Sequence, residues 1–215
     1  RPPRSTLSSS SAASDVYKRQ VQMVGRLLVI TGASGVGKST LTARIAASLE
    51  FDKVVATDTI RETLRTQIPP KEVPALHRSS FQPGESNAIE DWKDTVSPLN
   101  SAIQAIVSRE IKRGGDLLME GVHFVPNFAI IDEWRAAGGD ACGVVLAVED
   151  TEEHVRMIAG RRKHNGRSVR HYLDHIDRIR EIQEEMVKLA KNSGWLVIDV
   201  TKSDDPIGEI SLEIQ

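Results

Sequence analysis

Short apolar runs alternate along this chain with stretches in which apolar residues recur every three or four positions. Runs of four to six mostly apolar residues are typical of strands buried on both faces, and the spacing between them is typical of amphipathic helices. Strands that alternate with helices predict a parallel sheet covered on both sides, which is an α/β fold. The predicted strands are residues 27–31, 53–57, 116–120, 143–148 and 195–200.

The interval between the second and third predicted strands, residues 58–115, is long and irregular. We expect a short helix over residues 59–67, after which the prolines of residues 68–74 require a loop. Helical spacing then resumes and ends at Gly114, with Pro98 either kinking one helix or beginning a second. Residues 167–192 predict a further helical region, in which Asp174 and Arg178 are expected to pair across one turn.

Length, charge and cysteine content favour one soluble domain. The chain has 215 residues and a formal net charge of −2 with acids and bases mixed, so we expect neither nucleic acid nor a membrane as partner. No apolar run is long enough to span a bilayer. Its single cysteine, Cys142, lies in an apolar run, which predicts an inert buried thiol and a cytoplasmic location. The oligomeric state stays open.

The first residues differ from the rest in composition. Residues 1–13 are rich in serine and lack acidic residues and a core-forming pattern, which predicts disorder and gives a superficial likeness to a transit peptide. Residues 15–20 can be back-translated as the end sequence of a transposon used to prepare sequencing libraries. We therefore expect residues 1–22 to be a disordered, non-native leader and residues 23–215 to form a single domain.

A phosphate-binding motif follows the first predicted strand. Residues 32–39 match G-x-x-x-x-G-K-[ST] between a buried strand and an amphipathic helix, which is the context of a P-loop. Glycines let the backbone N–H groups turn towards an anion, and the helix N-terminus adds its dipole. We expect Lys38 to contact the β- and γ-phosphates of ATP and Ser39 to ligate Mg²⁺. The expected ATP-binding residues are Gly32, Ala33, Ser34, Gly35, Val36, Gly37, Lys38, Ser39 and Thr40.

Phosphoryl transfer needs cations and a carboxylate beside the phosphates, and the end of the second predicted strand supplies both. Asp58 follows that strand, and Arg61 and Arg65 share one helix face, so that they can bind one anionic group. The structural alternative is that Asp58 or Thr59 caps the helix, Thr59 forming a capping box with Glu62. We expect Asp58 to be catalytic and both arginines to bind substrate.

Glu120 ends the third predicted strand, in the place of a Walker B acid. It could hold a Mg²⁺-bound water or accept the proton of the acceptor, and a solvated strand-end carboxylate is the alternative. Asp150 and Asp199, at the ends of other strands, are rivals for that role. We expect Glu120 to be catalytic and to bind the metal with Ser39, while His123, in the same loop, binds substrate.

Basic residues cluster after the fourth predicted strand, at Arg156, Arg161, Arg162, Lys163, Arg167 and Arg170. A basic segment that contains glycine and lies between two helices is typical of a lid over a triphosphate, and a solvated basic face is the alternative. We expect a lid over residues 156–171, with Arg161 catalytic and Arg162 binding ATP. His171 and His175 have helical metal-site spacing without an evident third ligand, so we expect no metal there.

Several strings occur together beyond the P-loop. They are Thr57-Asp-x-Ile-Arg-Glu-x-Leu-Arg65, Leu76-His-Arg-Ser-Ser-Phe81, Glu120-Gly-Val-His123, His154-x-Arg156, Tyr172-Leu and Ile179-Arg-x-Ile-Gln183. With the P-loop they resemble the 2-phosphoglycerate kinase family over residues 27–200. The resemblance implies a three-layer α/β/α P-loop NTPase fold, nucleoside-monophosphate-kinase-like, with a five-stranded parallel sheet. It also implies ATP- and Mg²⁺-dependent phosphorylation of 2-phosphoglycerate to 2,3-bisphosphoglycerate, with Arg61 and Arg65 clamping the acceptor, helped by His77, Ser79 and Ser80.

Three functions fit these residues. The first is a kinase for a small phosphorylated acid, in which either Glu120 or Asp58 organises Mg²⁺ and the other orients the acceptor hydroxyl. The second keeps this chemistry for a sugar nucleotide, a nucleoside or an antibiotic, although paired arginines favour an anionic acceptor. The third is an NTP-dependent regulatory protein, for which neither a guanine-recognition motif nor an ABC-type signature is present.

Overall fold

A five-stranded, all-parallel sheet forms the centre of the computed structural model, which describes residues 24–160 and 169–214. The strands are β1 Arg26–Thr31, β2 Val54–Ala56, β3 Leu117–Glu120, β4 Asp140–Ala147 and β5 Leu196–Asp199. Their order across the sheet is β2-β3-β1-β4-β5, so β1 lies in the middle. All the predicted strands are confirmed, with ends displaced by at most three residues.

Helices connect the strands within the described ranges. They are α1 Lys38–Ser48, α2 Thr57–Arg65, α3 Ala88–Val96, α4 Asn100–Arg113, α5 Ala129–Ala136, α6 Thr151–Ala159, α7 Val169–Leu173, α8 Ile176–Asn192 and α9 Pro206–Glu213. Pro98 lies in a 3₁₀ turn, Ser97–Leu99, which separates α3 from α4. The helical region predicted over residues 167–192 contains two helices in its described part, α7 and α8, and the backbone of His175 leaves the helical conformation between them. Of these helices, none is both long and apolar enough to cross a membrane.

The side chains of β1 alternate between two hydrophobic cores, one on each face of the sheet. Leu27 and Val29 pack in the larger core, with residues of α2 to α5 and α8. Leu28 and Ile30 pack in the smaller core, with residues of α1 and α9. Burying one such side chain stabilises a fold by about 1.5–3 kcal/mol, so alternation on both faces fixes the register of the central strand. The predicted three-layer α/β/α architecture is confirmed.

Cys142 lies in β4 with its side chain turned into the smaller core. Burial raises the pKa of its thiol to about 12. Since the thiolate is the reactive form, this thiol is unreactive in the folded protein. The expectation of a buried, inert cysteine is confirmed.

Helix α2 begins two residues earlier than the predicted helix. Strand β2 ends at Ala56, and Ala56 is also the residue that precedes the helix, without a side-chain cap. Thr57 is the first helical residue, and its hydroxyl is bonded to His123 Nδ1 at 2.9 Å. Thr59 therefore lies inside the first turn, and the structural alternative in which it forms a capping box with Glu62 is excluded.

Candidate active site

The P-loop, residues 32–39, curls between β1 and α1 at the carboxyl edge of the sheet. Gly37 precedes α1 in a left-handed conformation (φ 84°, ψ 14°), which favours glycine. Across the loop, the Lys38 ammonium donates to the Ala33 carbonyl at 2.9 Å. The loop therefore combines a tight backbone turn, a helix N-terminus and a cation, which together suit a phosphate group.

Ser39 and Glu120 meet where β1 and β3 end. The two strands are neighbours, and their register pairs Ile30 with Glu120. The Ser39 hydroxyl donates to Glu120 Oε1 at 3.3 Å. The pKa of Glu120 is raised above its ordinary value, mainly by burial. The charge of Lys38 opposes this shift, and the charge of Asp58 adds to it. A hydroxyl and one carboxylate are hard oxygen ligands, so this pair fits a Mg²⁺ ion that takes its remaining ligands from phosphates and water.

The two rival acids have structural partners instead. Asp150 caps α6 by accepting the Glu153 N–H at 2.8 Å. Asp199 accepts the backbone N–H of Thr201 and that of Glu149, both at 2.9 Å. Among the strand-end acids considered, Glu120 is thus the one that contacts the P-loop serine.

The Glu-Gly-Val-His string owes its composition to the contact between its loop and α2. A Cβ atom on Gly121 (φ 145°) would lie 1.8 Å from Thr57 Oγ1, so this position requires glycine. The Val122 carbonyl accepts the Trp92 indole N–H at 2.8 Å. His123 Nδ1 is bonded to Thr57 Oγ1 at 2.9 Å. The loop after β3 is thereby held against the first turn of α2.

His123 is a buried histidine surrounded by charges of the candidate site. Burial lowers its pKa to about 4; the Asp58 charge acts in the opposite direction, and the Arg61 and Lys38 charges lower it further. Its Nε2 has no hydrogen-bond partner among the described residues. Buried polar atoms are normally paired, so this nitrogen is a position that a ligand atom can satisfy.

Arg61 and Arg65 share one face of α2 and converge on a single anionic group, which is Glu62 of the same helix. Arg61 Nη2 donates to Glu62 at 2.8 Å, and Arg65 Nη1 donates to both carboxylate oxygens at 2.7 and 2.8 Å. The hydrogen bond from Arg61 is the main cause that holds the pKa of Glu62 below its ordinary value. Arg61 is only 6 % exposed, and its Nε has no partner in the described part of the chain.

The residues predicted to help bind the acceptor lie beside these arginines. His77 ends the 3₁₀ turn Pro74–His77, where its Nδ1 accepts from Arg65 Nε at 3.4 Å. Ser79 and Ser80 follow and are buried. The Arg78 carbonyl accepts from Arg61 Nη1 at 3.1 Å, which holds this segment against α2.

A buried acid that the sequence patterns did not single out, Asp91, holds the rest of this segment. It accepts the backbone N–H of Gly84 at 2.8 Å and of Ser86 at 3.2 Å, and it pairs with Arg178 at 2.5 Å. Burial raises the pKa of Asp91, but these hydrogen bonds and the charge of Arg78 hold it below its ordinary value. Asp91 could have been recognised from the sequence as an acidic residue on the buried face of an amphipathic helix.

The contacts of Arg178 differ from the predicted ion pair with Asp174. Its Nε donates to the Phe81 carbonyl at 2.9 Å and its Nη2 binds Asp91, so the expected pair with Asp174 is wrong. Asp174 instead lies 3.8 Å from Arg170. The inward contacts prevail because Asp91 is fully buried, where a carboxylate without a cation would be costly.

Half of the predicted lid, residues 161–168, lies outside the described residues. This half includes Arg161, Arg162, Lys163 and Arg167. Arg156 and Arg170 are described; both are exposed and pair with Glu153 and Asp174. The roles of Arg161 and Arg162 stay predictions.

The sequence of this chain is similar to those of known proteins. No family model matches the chain. A 2-phosphoglycerate kinase from Pyrococcus furiosus is 30 % identical over 196 residues, which are 87 % of this chain and 63 % of that enzyme. The chain is a relative of the 2-phosphoglycerate kinases. One from Pyrococcus horikoshii is 28 % identical over 196 residues, 87 % of this chain and 64 % of that enzyme. The resemblance inferred from the sequence strings is confirmed, and the chain spans somewhat less than two thirds of either relative.

A solved structure with a similar fold supports this architecture. A presumed kinase from Chloroflexus aurantiacus aligns with a TM-score of 0.52 at 15 % identity, covering 90 % of this chain and 100 % of that chain. Similarity at this level of identity concerns the fold alone. With the all-parallel strand order β2-β3-β1-β4-β5, the predicted P-loop fold of the nucleoside-monophosphate-kinase type is confirmed.

Proposed function

We propose that this protein is an ATP- and Mg²⁺-dependent kinase that phosphorylates a hydroxyl of a small anionic metabolite. The observation that carries the proposal is the 3.3 Å contact between Ser39 and Glu120, close to the charge of Lys38. A second carboxylate, Asp58, and the buried Arg61 lie close enough for both charges to act on His123. Phosphoryl transfer requires cations, a metal-binding acid and an acid for the acceptor, and this site offers each of them.

The nucleotide side suits a triphosphate and a divalent ion. Lys38 supplies the cation, and the first turn of α1 supplies backbone N–H groups. Ser39 and Glu120 would hold Mg²⁺, and two protein ligands are typical of Mg²⁺ sites that bind phosphates. When bound, the ion neutralises charge on the phosphate oxygens.

We assign different roles to the two acids. Ser39 contacts Glu120, which supports a metal-binding role for that acid. Asp58 is exposed in the first turn of α2, and its charge acts on both Glu120 and His123. A carboxylate in that place can orient the hydroxyl of an acceptor and take its proton.

We further infer that the acceptor is 2-phosphoglycerate and the product 2,3-bisphosphoglycerate. This acceptor carries a carboxylate, a phosphate and one hydroxyl, and two arginines suit its two anionic groups. Arg61 and Arg65 already converge on Glu62, so an acceptor would exchange with, or share, that carboxylate. The names of the relatives from the two Pyrococcus species support the same acceptor.

The test is acceptor-dependent release of ADP from ATP and Mg²⁺. We expect 2-phosphoglycerate to stimulate release and phosphorus NMR to detect a bisphosphorylated product. Glycerate, which lacks the phosphate, and 3-phosphoglycerate, in which phosphate and hydroxyl are exchanged, are matched controls that should stimulate release much less. Stimulation by a different acceptor alone would contradict the substrate, and equal ADP release with and without every acceptor would contradict the kinase.

A further inference from the structure

We propose that His154 is a positioning residue that sets the phosphate-binding conformation of the P-loop, an inference that rests on the proposed function. His154 lies in α6 and is fully buried. Its Nε2 donates to the carbonyl of Ser34, inside the P-loop, at 2.9 Å. The His154-x-Arg156 string belongs to the family resemblance, and the roles assigned above do not account for it.

The hydrogen bond acts through the geometry of one peptide unit. The Ser34 carbonyl and the Gly35 N–H belong to the same planar group and point in opposite directions. Since the carbonyl points to α6, the Gly35 N–H points away from α6. The preceding carbonyl, of Ala33, accepts instead from Lys38. An anion-binding loop needs its N–H groups turned to the anion, and His154 holds the 34–35 peptide in one orientation.

Close packing between α6 and the P-loop restricts other orientations of the 34–35 peptide. A Cβ atom on Gly35 (φ 100°) would lie 2.5 Å from Ile158 Cγ1 and 3.0 Å from His154 Nε2. The loop and the helix are therefore as close as a glycine allows. A movement of the loop towards α6 is blocked, and a flip of the 34–35 peptide would break the bond to His154.

The same contact sets the protonation of the ring. A carbonyl oxygen only accepts, so Nε2 carries the proton. Burial lowers the pKa of His154, although the bond to Ser34 raises it, and the net lowering favours the neutral ring. Nδ1 is buried and has no hydrogen-bond partner among the described residues. His154 therefore contributes one directed N–H group and no charge.

The experiment separates this donor from packing. His154→Gln keeps an N–H donor of similar reach, whereas His154→Leu keeps much of the volume and removes the donor. We expect the Leu variant to bind Mg²⁺-ADP at least tenfold more weakly in calorimetry, and the Gln variant to stay within threefold of the wild type. Ile158→Val is the matched control, since it loosens the same contact and leaves the hydrogen bond; it should lower the unfolding temperature and keep ADP binding within threefold.

A second measurement reports on the peptide itself. The amide resonance of Gly35 should shift on addition of Mg²⁺-ADP in the wild type and the Gln variant, and not in the Leu variant. If the Leu variant does not fold, His154→Asn, whose shorter amide cannot reach Ser34, takes its place with the same expected loss. Wild-type ADP affinity in the donor-free variant, or equal loss in the Gln and Leu variants, would overturn the proposal.

These outcomes are distinct from those of the proposed function. A wild-type protein that binds ADP and transfers phosphate to no acceptor overturns the kinase and leaves the role of His154 to be decided by the variants. A wild-type protein that binds no ADP overturns both.

Discussion

The two halves of the candidate site are built in different ways. The nucleotide half, residues 32–39 with α1, is formed mainly by consecutive backbone groups and the bond of Lys38 to the Ala33 carbonyl within the same loop, with one distant bond from His154 to Ser34. The acceptor half, α2 with residues 76–91, is held by side chains from distant segments, such as Arg178 on Asp91. A binding site made of local backbone can be recognised from a short string, whereas one made of distant side chains depends on the whole fold.

This difference makes the two halves separately testable. Changes in the acceptor half should alter turnover, acceptor binding or stability and leave ADP affinity nearly constant. The following changes are ordered from the largest expected effect to the smallest.

Asp58→Asn should have the largest effect on turnover. If Asp58 orients the acceptor hydroxyl, its loss lowers kcat by about 10²–10⁴-fold, the usual contribution of a positioned acid or base. Steady-state kinetics with 2-phosphoglycerate and calorimetry with ADP measure the two halves separately, and ADP affinity should stay within about threefold, less than 1 kcal/mol. Thr59→Ala, in the same exposed turn, is the control. Near-normal kcat in the Asn variant would remove Asp58 from the mechanism.

Asp91→Asn should be the most destabilising change in the acceptor half. It removes the charge that Arg178 and Arg78 share in a buried site, and breaking such a network costs about 3–5 kcal/mol. Denaturant unfolding should show this loss, and the acceptor KM should rise because residues 76–86 lose their anchor. Asp94→Asn is the matched control: Asp94 is 62 % exposed and 3.7 Å from Arg78, so its loss should cost less than about 1 kcal/mol. Equal effects of the two variants would contradict the role of Asp91.

Lowering the pH should destabilise the folded protein, because His123 is protonated more readily in the unfolded chain. Because burial lowers its pKa from 6.5 to about 4 in the folded state, the unfolded chain binds a proton first as the pH falls. The contribution of the neutral His123 ring to the free energy of unfolding is fully present above pH 6.5. It declines between pH 6.5 and about 4 and then levels off, and the total loss is about 3 kcal/mol. Unfolding free energies measured across this range should fall less steeply in His123→Gln. Parallel pH profiles for the two proteins would show that His123 titrates normally.

Glu62→Gln should have the smallest effect. Its carboxylate is 56 % exposed, so losing the pairs with Arg61 and Arg65 should change stability by less than about 1 kcal/mol. Removing a carboxylate that competes for both arginines should lower the KM for 2-phosphoglycerate by about threefold, equivalent to less than 1 kcal/mol. ADP affinity is the internal control. A higher KM would indicate that Glu62 holds the arginines ready for the acceptor.

The sequence was sufficient for the parts of the molecule in which neighbours along the chain decide the structure. The P-loop, the strands and the helix end at Gly114 follow from local spacing and from glycine. The start of α2 was predicted two residues too late, and Thr57, its first residue, is bonded to His123 across 66 residues, a contact that no local pattern contains. The role of Asp91 was missed for the same reason, since its cation, Arg178, is 87 residues away. Glu120 was expected to share a metal ion with Ser39, and the pairing of β1 with β3 explains how the two side chains come into contact.

The position of Cys142 also has an experimental consequence. It is the single cysteine of the chain and lies within β4, which pairs with strands on both sides. A thiol reagent can reach it only when the packing over the smaller core opens, so the rate of modification reports how often that part of the structure opens. The protein therefore contains its own reporter of this opening, and the variants described above can be compared by it without adding a label.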